Sequence, residues 1–270
     1  MRSYLICLIG LGVTAWDANA SRYCVEDWAC AGVTERDKQH KVWVSNERQY
    51  PITMTLLVTT ENLEDAVGQK GDFEITKVVP GNHKIPVLSL QQADPDERWR
   101  YHYSFDWSVG DMHAEHDDEY RYLVPYEQGA FYEVIQGYNG GFSHHGSESY
   151  SIDFGMPVGT PIHAARGGTV VDTAEHHNKG GGSQAYAQYA NYVIVLHNDG
   201  TTGEYFHLMH QGVEVEVGQH VYPGELLGYS GNTGFSTTPH LHFAVYRARP
   251  KGDFESIPIT FKEGQRIDSY

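Results

Sequence analysis

Residues 239–246 read Pro-His-Leu-His-Phe-Ala-Val-Tyr, a short segment in which polar and apolar side chains alternate. In a β-strand, residues two apart point to the same face of the sheet. His240 and His242 would therefore project together, while Leu241 and Phe243 face the core. Taken alone, the pattern fits two imidazoles that share one cleft, and it equally fits two surface histidines on a half-exposed strand.

A second group of metal-capable side chains lies upstream, where residues 143–154 read Ser-His-His-Gly-Ser-Glu-Ser-Tyr-Ser-Ile-Asp-Phe. Asp153 has Ile152 and Phe154 as neighbours, a pattern that predicts a partly buried strand. An unpaired carboxylate is costly in such a place. A zinc ion would be a suitable partner for it, and so would Arg166 or local backbone amides that donate hydrogen bonds.

A third segment carries a hairpin signal at Asn198-Asp199-Gly200. The signal predicts that the strand carrying His207 returns beside the strand that ends at His197. This pairing says little about function by itself.

Together, these segments resemble peptidase family M23, the lysostaphin-like family. The resemblance runs through residues 134–250, and six phrases in family order are far more specific than any one of them. The phrases are 150–162, 164–171, 199–208, 217–228, 230–234 and 240–243. The resemblance implies a lysostaphin-like antiparallel β-domain with a cleft over its central sheet.

The resemblance also implies roles for individual residues. Asp153 and His242 correspond to zinc ligands, and His207 and His240 correspond to the catalytic pair beside the metal. Two neutral imidazoles and one carboxylate are a ligand set for catalytic Zn²⁺, with one coordination position left open.

The remaining ligand is a histidine upstream of the aspartate, and here the sequence departs from the commoner family pattern. That pattern has three residues between the two ligands, and its position is occupied here by Ser149. A longer-spaced variant that begins Ser-His-x-Gly is similar to residues 143–146. It makes His144 the ligand, with His145 as the alternative.

The implied activity is zinc-dependent hydrolysis of peptide bonds, in the stems or cross-bridges of peptidoglycan. Two other functions are compatible with the same domain. One is a non-catalytic M23-like module that activates a separate cell-wall amidase, although such relatives lose ligands. The other is a secreted zinc peptidase that acts on proteins.

The N-terminal part of the chain also follows the period of a strand. Residues 52–59 and 99–107 alternate in polarity, and Pro80-Gly81-Asn82 supplies turn chemistry between them. We therefore predict an all-β protein, with a β-sandwich-like module over residues 21–126 and the M23-like metallopeptidase domain over 127–270. The glycine-rich stretch 176–189 is predicted to be a long loop of the second domain.

The first twenty residues have the features of a secretory signal peptide, with a charged start at Arg2, an apolar run and the small-x-small end Ala18-Asn19-Ala20. A membrane anchor is the competing interpretation, but the run is shorter than the roughly 20 residues of a spanning helix. Cys24 and Cys30 then form an even pair in an oxidising compartment, which predicts a disulfide. These features predict a periplasmic or secreted protein.

The formal net charge of −16 is spread along the chain, and no Lys/Arg cluster is present. Nucleic acid and anionic membranes are therefore poor partners for this protein. The acidic stretch 111–118 holds His113 and His116, and we predict a solvated loop there rather than a weak metal site. By its position before the catalytic domain, the N-terminal module could shield the cleft or dock a protein partner. Four further histidines are expected to be structural or exposed, namely His163, His197, His210 and His220.

Overall fold

The computed structural model describes residues 21–263, which are almost entirely β-structure. The all-β prediction is confirmed. The predicted signal peptide over residues 1–20 lies outside the described residues. Among residues 21–263, no helix has the length and apolar character needed to cross a membrane.

The chain divides into two compact units. Within the described residues, one comprises 21–112 and Ala248–Asp253, and the other comprises His113–Arg247 and 254–263. This division lies N-terminal to the boundary predicted after residue 126. Tyr122 and Tyr126 belong to the core of the second unit.

The first unit is a single antiparallel sheet in the order β1-β2-β3-β6-β4-β5, with β7 paired to β4. Its strands are β1 Ser21–Val25, β2 Ala29–Arg36, β3 Gln39–Asn46, β4 Ile52–Glu64, β5 Lys70–Val79, β6 His83–Gln92 and β7 Arg100–Val109. β4 pairs with β6 at Leu63 and Glu64. This short pairing joins β1-β2-β3-β6 to β4, β5 and β7 in one hydrogen-bonded sheet. Aromatic contacts connect β7 to the first hairpin, since the Trp107 and Trp28 ring centroids lie 4.5 Å apart. Two parts of one continuous sheet thus contact each other through their side chains.

The first hairpin contains the predicted disulfide. Cys24 and Cys30 are directly opposite in the pairing of β1 with β2, and their sulfur atoms are bonded. Cross-strand neighbours lie close enough for such a bond without displacing the backbone.

The second unit is built on an antiparallel sheet in the order β17-β12-β14-β15-β20-β10-β9, with β21 paired to β20. Its strands are β8 Arg121–Tyr122, β9 Val134–Gln136, β10 Ile152–Gly155, β11 Pro161–His163, β12 Gly168–Ala174, β13 Gly180–Gly181, β14 Tyr192–Leu196, β15 Thr202–Phe206, β16 Leu208–Val213, β17 His220–Val221, β18 Leu226–Ser230, β19 Gly234–Phe235, β20 His240–Ala248, β21 Phe254–Ile257 and β22 Thr260–Phe261. Two short 3₁₀ helices complete it, Gly146–Glu148 and Gln184–Tyr189.

The alternation predicted at residues 239–246 is found in β20. Leu241 and Phe243 are fully buried, in one core cluster with Phe154 of β10. His240 and His242 occupy the alternate positions of the strand, so they project from the opposite face. One face of the central sheet is therefore core, and the other carries the histidines.

The stretch 176–189, which the sequence predicts to be a long loop, contains two short regular elements. It contains β13, which pairs in parallel with β19, and the 3₁₀ helix Gln184–Tyr189. A Cβ atom at Gly180 would lie 1.9 Å from the Asn232 carbonyl oxygen, so only glycine permits this approach. A strand of two residues is too short to show an alternating pattern of polar and apolar residues, so the sequence does not predict it.

Candidate metal centre and catalytic histidines

Three side chains converge on the histidine-bearing face of the second unit. His144, Asp153 and His242 each place a ligand atom within 4.8 Å of the others. Asp153 and His242 are direct neighbours across the pairing of β10 with β20. His144 enters from the preceding loop and is fully buried, whereas His145 is exposed and outside the group.

Asp153 accepts close contacts from both imidazoles. His242 Nδ1 lies 2.9 Å from Asp153 Oδ1, and His144 Nε2 lies 3.2 Å from the same oxygen. Burial opposes ionisation, but the two histidines outweigh it and hold the pKa of Asp153 well below its usual range. Arg166, the other candidate partner from the sequence, instead contacts Asp199 at 2.7 Å.

Gln136 connects Asp153 to the turn before His144, a role that sequence reasoning missed. Its Nε2 donates to Asp153 Oδ2 at 3.1 Å and to Ser143 Oγ at 2.8 Å. Its Oε1 accepts the backbone N–H of Phe142 at 3.1 Å. One amide therefore fixes both the carboxylate and the approach of the His144 loop.

The His144 ring is oriented for binding a cation. Its Nδ1 donates to the Gly137 carbonyl oxygen at 2.9 Å, which leaves a lone pair on Nε2. Nε2 is buried and, although close to Asp153 Oδ1, is not aligned for a hydrogen bond to it. A buried lone pair that faces a carboxylate oxygen is unfavourable unless a positive charge lies between them. The site therefore fits a metal ion.

His242 is surrounded by two carboxylates. Burial disfavours its charged form, but Asp153 and Glu148 outweigh burial and raise the pKa of His242 to about 10. The same environment attracts any cation. Imidazole and carboxylate ligands at these positions suit Zn²⁺.

His240 and His207 lie beside this group with their tautomers fixed by the backbone. His240 Nδ1 donates to the Thr238 carbonyl at 2.8 Å, and His207 Nδ1 donates to the Thr233 carbonyl at 2.7 Å. Their ring centroids are 4.6 Å apart, and His240 Nε2 lies 3.8 Å from Asp153 Oδ1. Both histidines thus keep an unprotonated Nε2.

Their pKa values favour neutral imidazoles near pH 7. Burial is the main cause for both, and the neighbouring histidines add to it, lowering the pKa of His207 to about 3. His207 also has a positive φ of 67° at the junction of β15 and β16. Such a backbone is strained for a residue other than glycine, and strain of this kind concentrates at functional sites.

The remaining histidines of the domain lie outside the group. His210 and His220 are exposed, and His163 Nδ1 donates to the Gly224 carbonyl oxygen at 2.8 Å. Within residues 21–263, the only convergent set of three or more His, Cys, Asp or Glu side chains is the one around Asp153. The acidic stretch 111–118 therefore holds no such cluster.

His197 makes the stability of the second unit depend on pH. Burial and the charge of Arg166 lower the pKa of His197 to about 4, against about 6.5 in an unfolded chain. Between these values the unfolded chain takes up a proton that the folded chain does not, so stability falls as the pH falls. The expected loss is up to about 3 kcal/mol. Urea unfolding from pH 7.5 to 4.5 measures it.

The matched variants are His197→Gln and, as the exposed control, His220→Gln. The free energy of unfolding of wild type minus that of His197→Gln should become smaller as the pH falls from 7.5 to 4.5. The difference between wild type and His220→Gln should stay flat. A His197→Gln difference that does not change with pH would contradict the assignment.

The fold and the site together define an all-β domain with a candidate metal centre of two histidines and one aspartate. Residues 147–254 match the sequence family described as Peptidase family M23, and the chain thus contains an M23 domain. The resemblance to this family is confirmed.

Relatives in this family share the domain but are longer proteins. Lysostaphin of Staphylococcus staphylolyticus is 37% identical over 132 residues, 48% of this chain and 24% of that protein. The peptidoglycan DD-endopeptidase ShyA of Vibrio cholerae is 39% identical over 99 residues, 36% of this chain and 20% of that protein. The crystallised catalytic domain of Staphylococcus simulans lysostaphin aligns at 30% identity with a TM-score of 0.32, covering 48% of this chain and 88% of that domain. This chain thus matches about a quarter or less of the length of full-length lysostaphin and of ShyA.

Proposed function

We propose that this protein is a zinc-dependent endopeptidase that hydrolyses peptide bonds in peptidoglycan. The observation that carries the proposal is the convergence of His144, Asp153 and His242 beside two histidines with free Nε2 atoms. Its substrate class is supported by the M23 domain and by relatives that include a peptidoglycan DD-endopeptidase. A periplasmic or secreted location follows from the same substrate.

His144, Asp153 and His242 would hold the metal. When bound at a site with an open position, Zn²⁺ polarises a carbonyl oxygen and lowers the pKa of water to about 7. Asp153 supplies the negative charge, and the Gln136 amide holds its second oxygen in place. The Gln136 amide would thus orient the Asp153 carboxylate before a metal ion binds.

His240 and His207 would transfer protons and stabilise the negative charge that develops during the reaction. A neutral imidazole accepts a proton at Nε2, and a protonated one donates a hydrogen bond to an oxyanion. The backbone carbonyls of Thr238 and Thr233 hold the Nδ1 protons, so Nε2 is the nitrogen available for these steps. The two rings are close enough to serve one substrate carbonyl.

The test combines metal analysis with product identification on the full chain. We expect about one zinc per chain by elemental analysis and new muropeptides when purified peptidoglycan is digested. A zinc chelator should abolish cleavage, and added Zn²⁺ should restore it. A parallel panel of unfolded proteins tests the broader peptidase activity.

Three outcomes separate the alternatives. A chain that binds no zinc and cleaves no bond would favour a module that activates an amidase, whereas stoichiometric zinc would count against that module. Cleavage of proteins with intact peptidoglycan would indicate a general secreted peptidase. Cleavage that persists in full after zinc removal would overturn the proposal.

A further inference from the structure

The imidazole of His242 has a polar contact on each nitrogen. Nδ1 faces Asp153, and Nε2 lies 3.2 Å from the hydroxyl oxygen of Tyr246. The Tyr246 hydroxyl donates its own proton to Glu148 Oε2, so its oxygen is left to accept from His242. A chain of hydrogen bonds therefore runs from the imidazole through a phenol to a carboxylate.

Two buried side chains contact the Glu148 carboxylate, and the Glu148 side chain itself is partly exposed. Tyr246 is 2% exposed and lies on the same face of β20 as His242, with the small side chain of Ala244 between them. Ser151 is fully buried and donates to Glu148 Oε2 at 3.0 Å, with its Oγ 3.2 Å from the Tyr246 hydroxyl. The phenol and the carboxylate are thus held in place independently of His242.

The carboxylate belongs to the segment that supplies the other two candidate ligands. Glu148 ends the 3₁₀ helix Gly146–Glu148, which lies between His144 and Asp153 in the chain. This short segment thus reaches both sides of the His242 ring, with Asp153 at Nδ1 and Glu148 behind Nε2.

We propose that Glu148 and Tyr246 are positioning residues for His242. They keep the proton on Nε2 and leave the lone pair of Nδ1 directed toward Asp153, where the metal would bind. The inference rests on the proposed function, because it requires zinc at this site. A hydrogen-bonded partner behind a metal-binding imidazole fixes the ring, and its loss costs 10–100-fold in metal affinity.

The same bonds also attach the 3₁₀ helix to β20, so the test must separate positioning from simple attachment. A second contact attaches the same segment elsewhere, because the Tyr150 N–H donates to Ser256 Oγ at 2.9 Å. Ser256→Ala loosens that attachment without touching His242. It is the matched control.

The experiment measures zinc affinity of the full chain by competition with a chromophoric chelator. Glu148→Gln keeps an acceptor oxygen but removes the charge, and Tyr246→Phe removes only the hydroxyl. Each should bind zinc about 10–100-fold more weakly than wild type. The double variant should lose little more than either one, because both act through one chain of bonds.

Two further readouts identify a positioning role. The absorption spectrum of the Co²⁺-loaded protein should change in Glu148→Gln and Tyr246→Phe and remain as in wild type in Ser256→Ala. Thermal melting of each chain without metal records the loss of attachment. Ser256→Ala should lower the melting temperature while its zinc affinity stays close to that of wild type.

Two results would overturn the inference while the proposed function stands. One is wild-type zinc affinity in both Glu148→Gln and Tyr246→Phe, and the other is an equal loss of affinity in Ser256→Ala. A wild-type chain that binds no zinc would instead overturn the proposed function, and this inference with it.

Discussion

Replacing His144 by alanine is expected to abolish stoichiometric zinc binding and to slow peptidoglycan cleavage by about 10³-fold or more. His144 Nε2 is a buried atom 3.2 Å from Asp153 Oδ1, and within residues 21–263 it is one of only three ligand atoms in the convergent group. The stabilisation that a metal gives a transition state is several kcal/mol, and each 1.36 kcal/mol is a factor of ten in rate. Elemental analysis and a muropeptide time course measure the two effects.

The matched control is the adjacent histidine. His145 is exposed and lies outside the convergent group, so His145→Ala should keep both zinc and activity. The pair of variants decides between the two candidate ligands that the sequence leaves open. Loss of zinc in His145→Ala with retention in His144→Ala would reverse the assignment.

Replacing His207 or His240 by alanine is expected to leave zinc bound and to reduce cleavage by roughly 10²–10⁴-fold, the range for loss of a general acid or base. Neither residue belongs to the group of three that could hold the metal. Each presents Nε2 because a backbone carbonyl holds the proton on Nδ1. In these variants the cleavage rate should therefore fall while the zinc content is unchanged, whereas His144→Ala should lower both.

The control for these variants is His210→Ala, an exposed histidine on β16 close in sequence to His207. It should cleave like the wild type. The double variant His207→Ala/His240→Ala should lose far less than the product of the two single effects if both residues serve one step. Full activity in either single variant would remove that histidine from the proposed mechanism.

The pair His240 and His242 illustrates how one strand can supply two different chemical functions. Both point to the same face, yet His242 faces a carboxylate at Nδ1 while His240 donates Nδ1–H to a backbone carbonyl. Under the proposed function, the first arrangement would direct Nδ1 toward a metal, and the second would leave a base at Nε2. Their hydrogen-bond partners, rather than their spacing, distinguish these proposed roles.

Much of the domain could be predicted because its signals are local. Alternation along β20 and around Asp153 follows from strand geometry, and it correctly separates core residues from the histidine-bearing face. The Cys24–Cys30 disulfide was predicted from the two cysteines that remain once the predicted signal peptide, which contains Cys7, is removed. The six matching segments, which follow one another in the order typical of the M23 family, were also sufficient to indicate that family.

Other parts of the site have no local signal. Gln136 reaches Asp153 across the pairing of β9 with β10, and Glu148 reaches Tyr246 from a 3₁₀ helix. The pairing of β13 with β19 falls in a stretch that reads as an ordinary loop. The residues around a polar side chain in a turn do not indicate whether that side chain contacts solvent or a buried partner.

The sequence by itself determined the all-β class, the face of β20 on which His240 and His242 lie and the set of residues from which the candidate site is drawn. Only the tertiary structure decided that His144 rather than His145 joins Asp153, and which nitrogen of His144, His207 and His240 is held by a backbone carbonyl. The physical reason is the range of the interactions. Periodicity is fixed by backbone geometry within a few residues, whereas hydrogen-bond partners are chosen by segments that meet only when the sheet has formed.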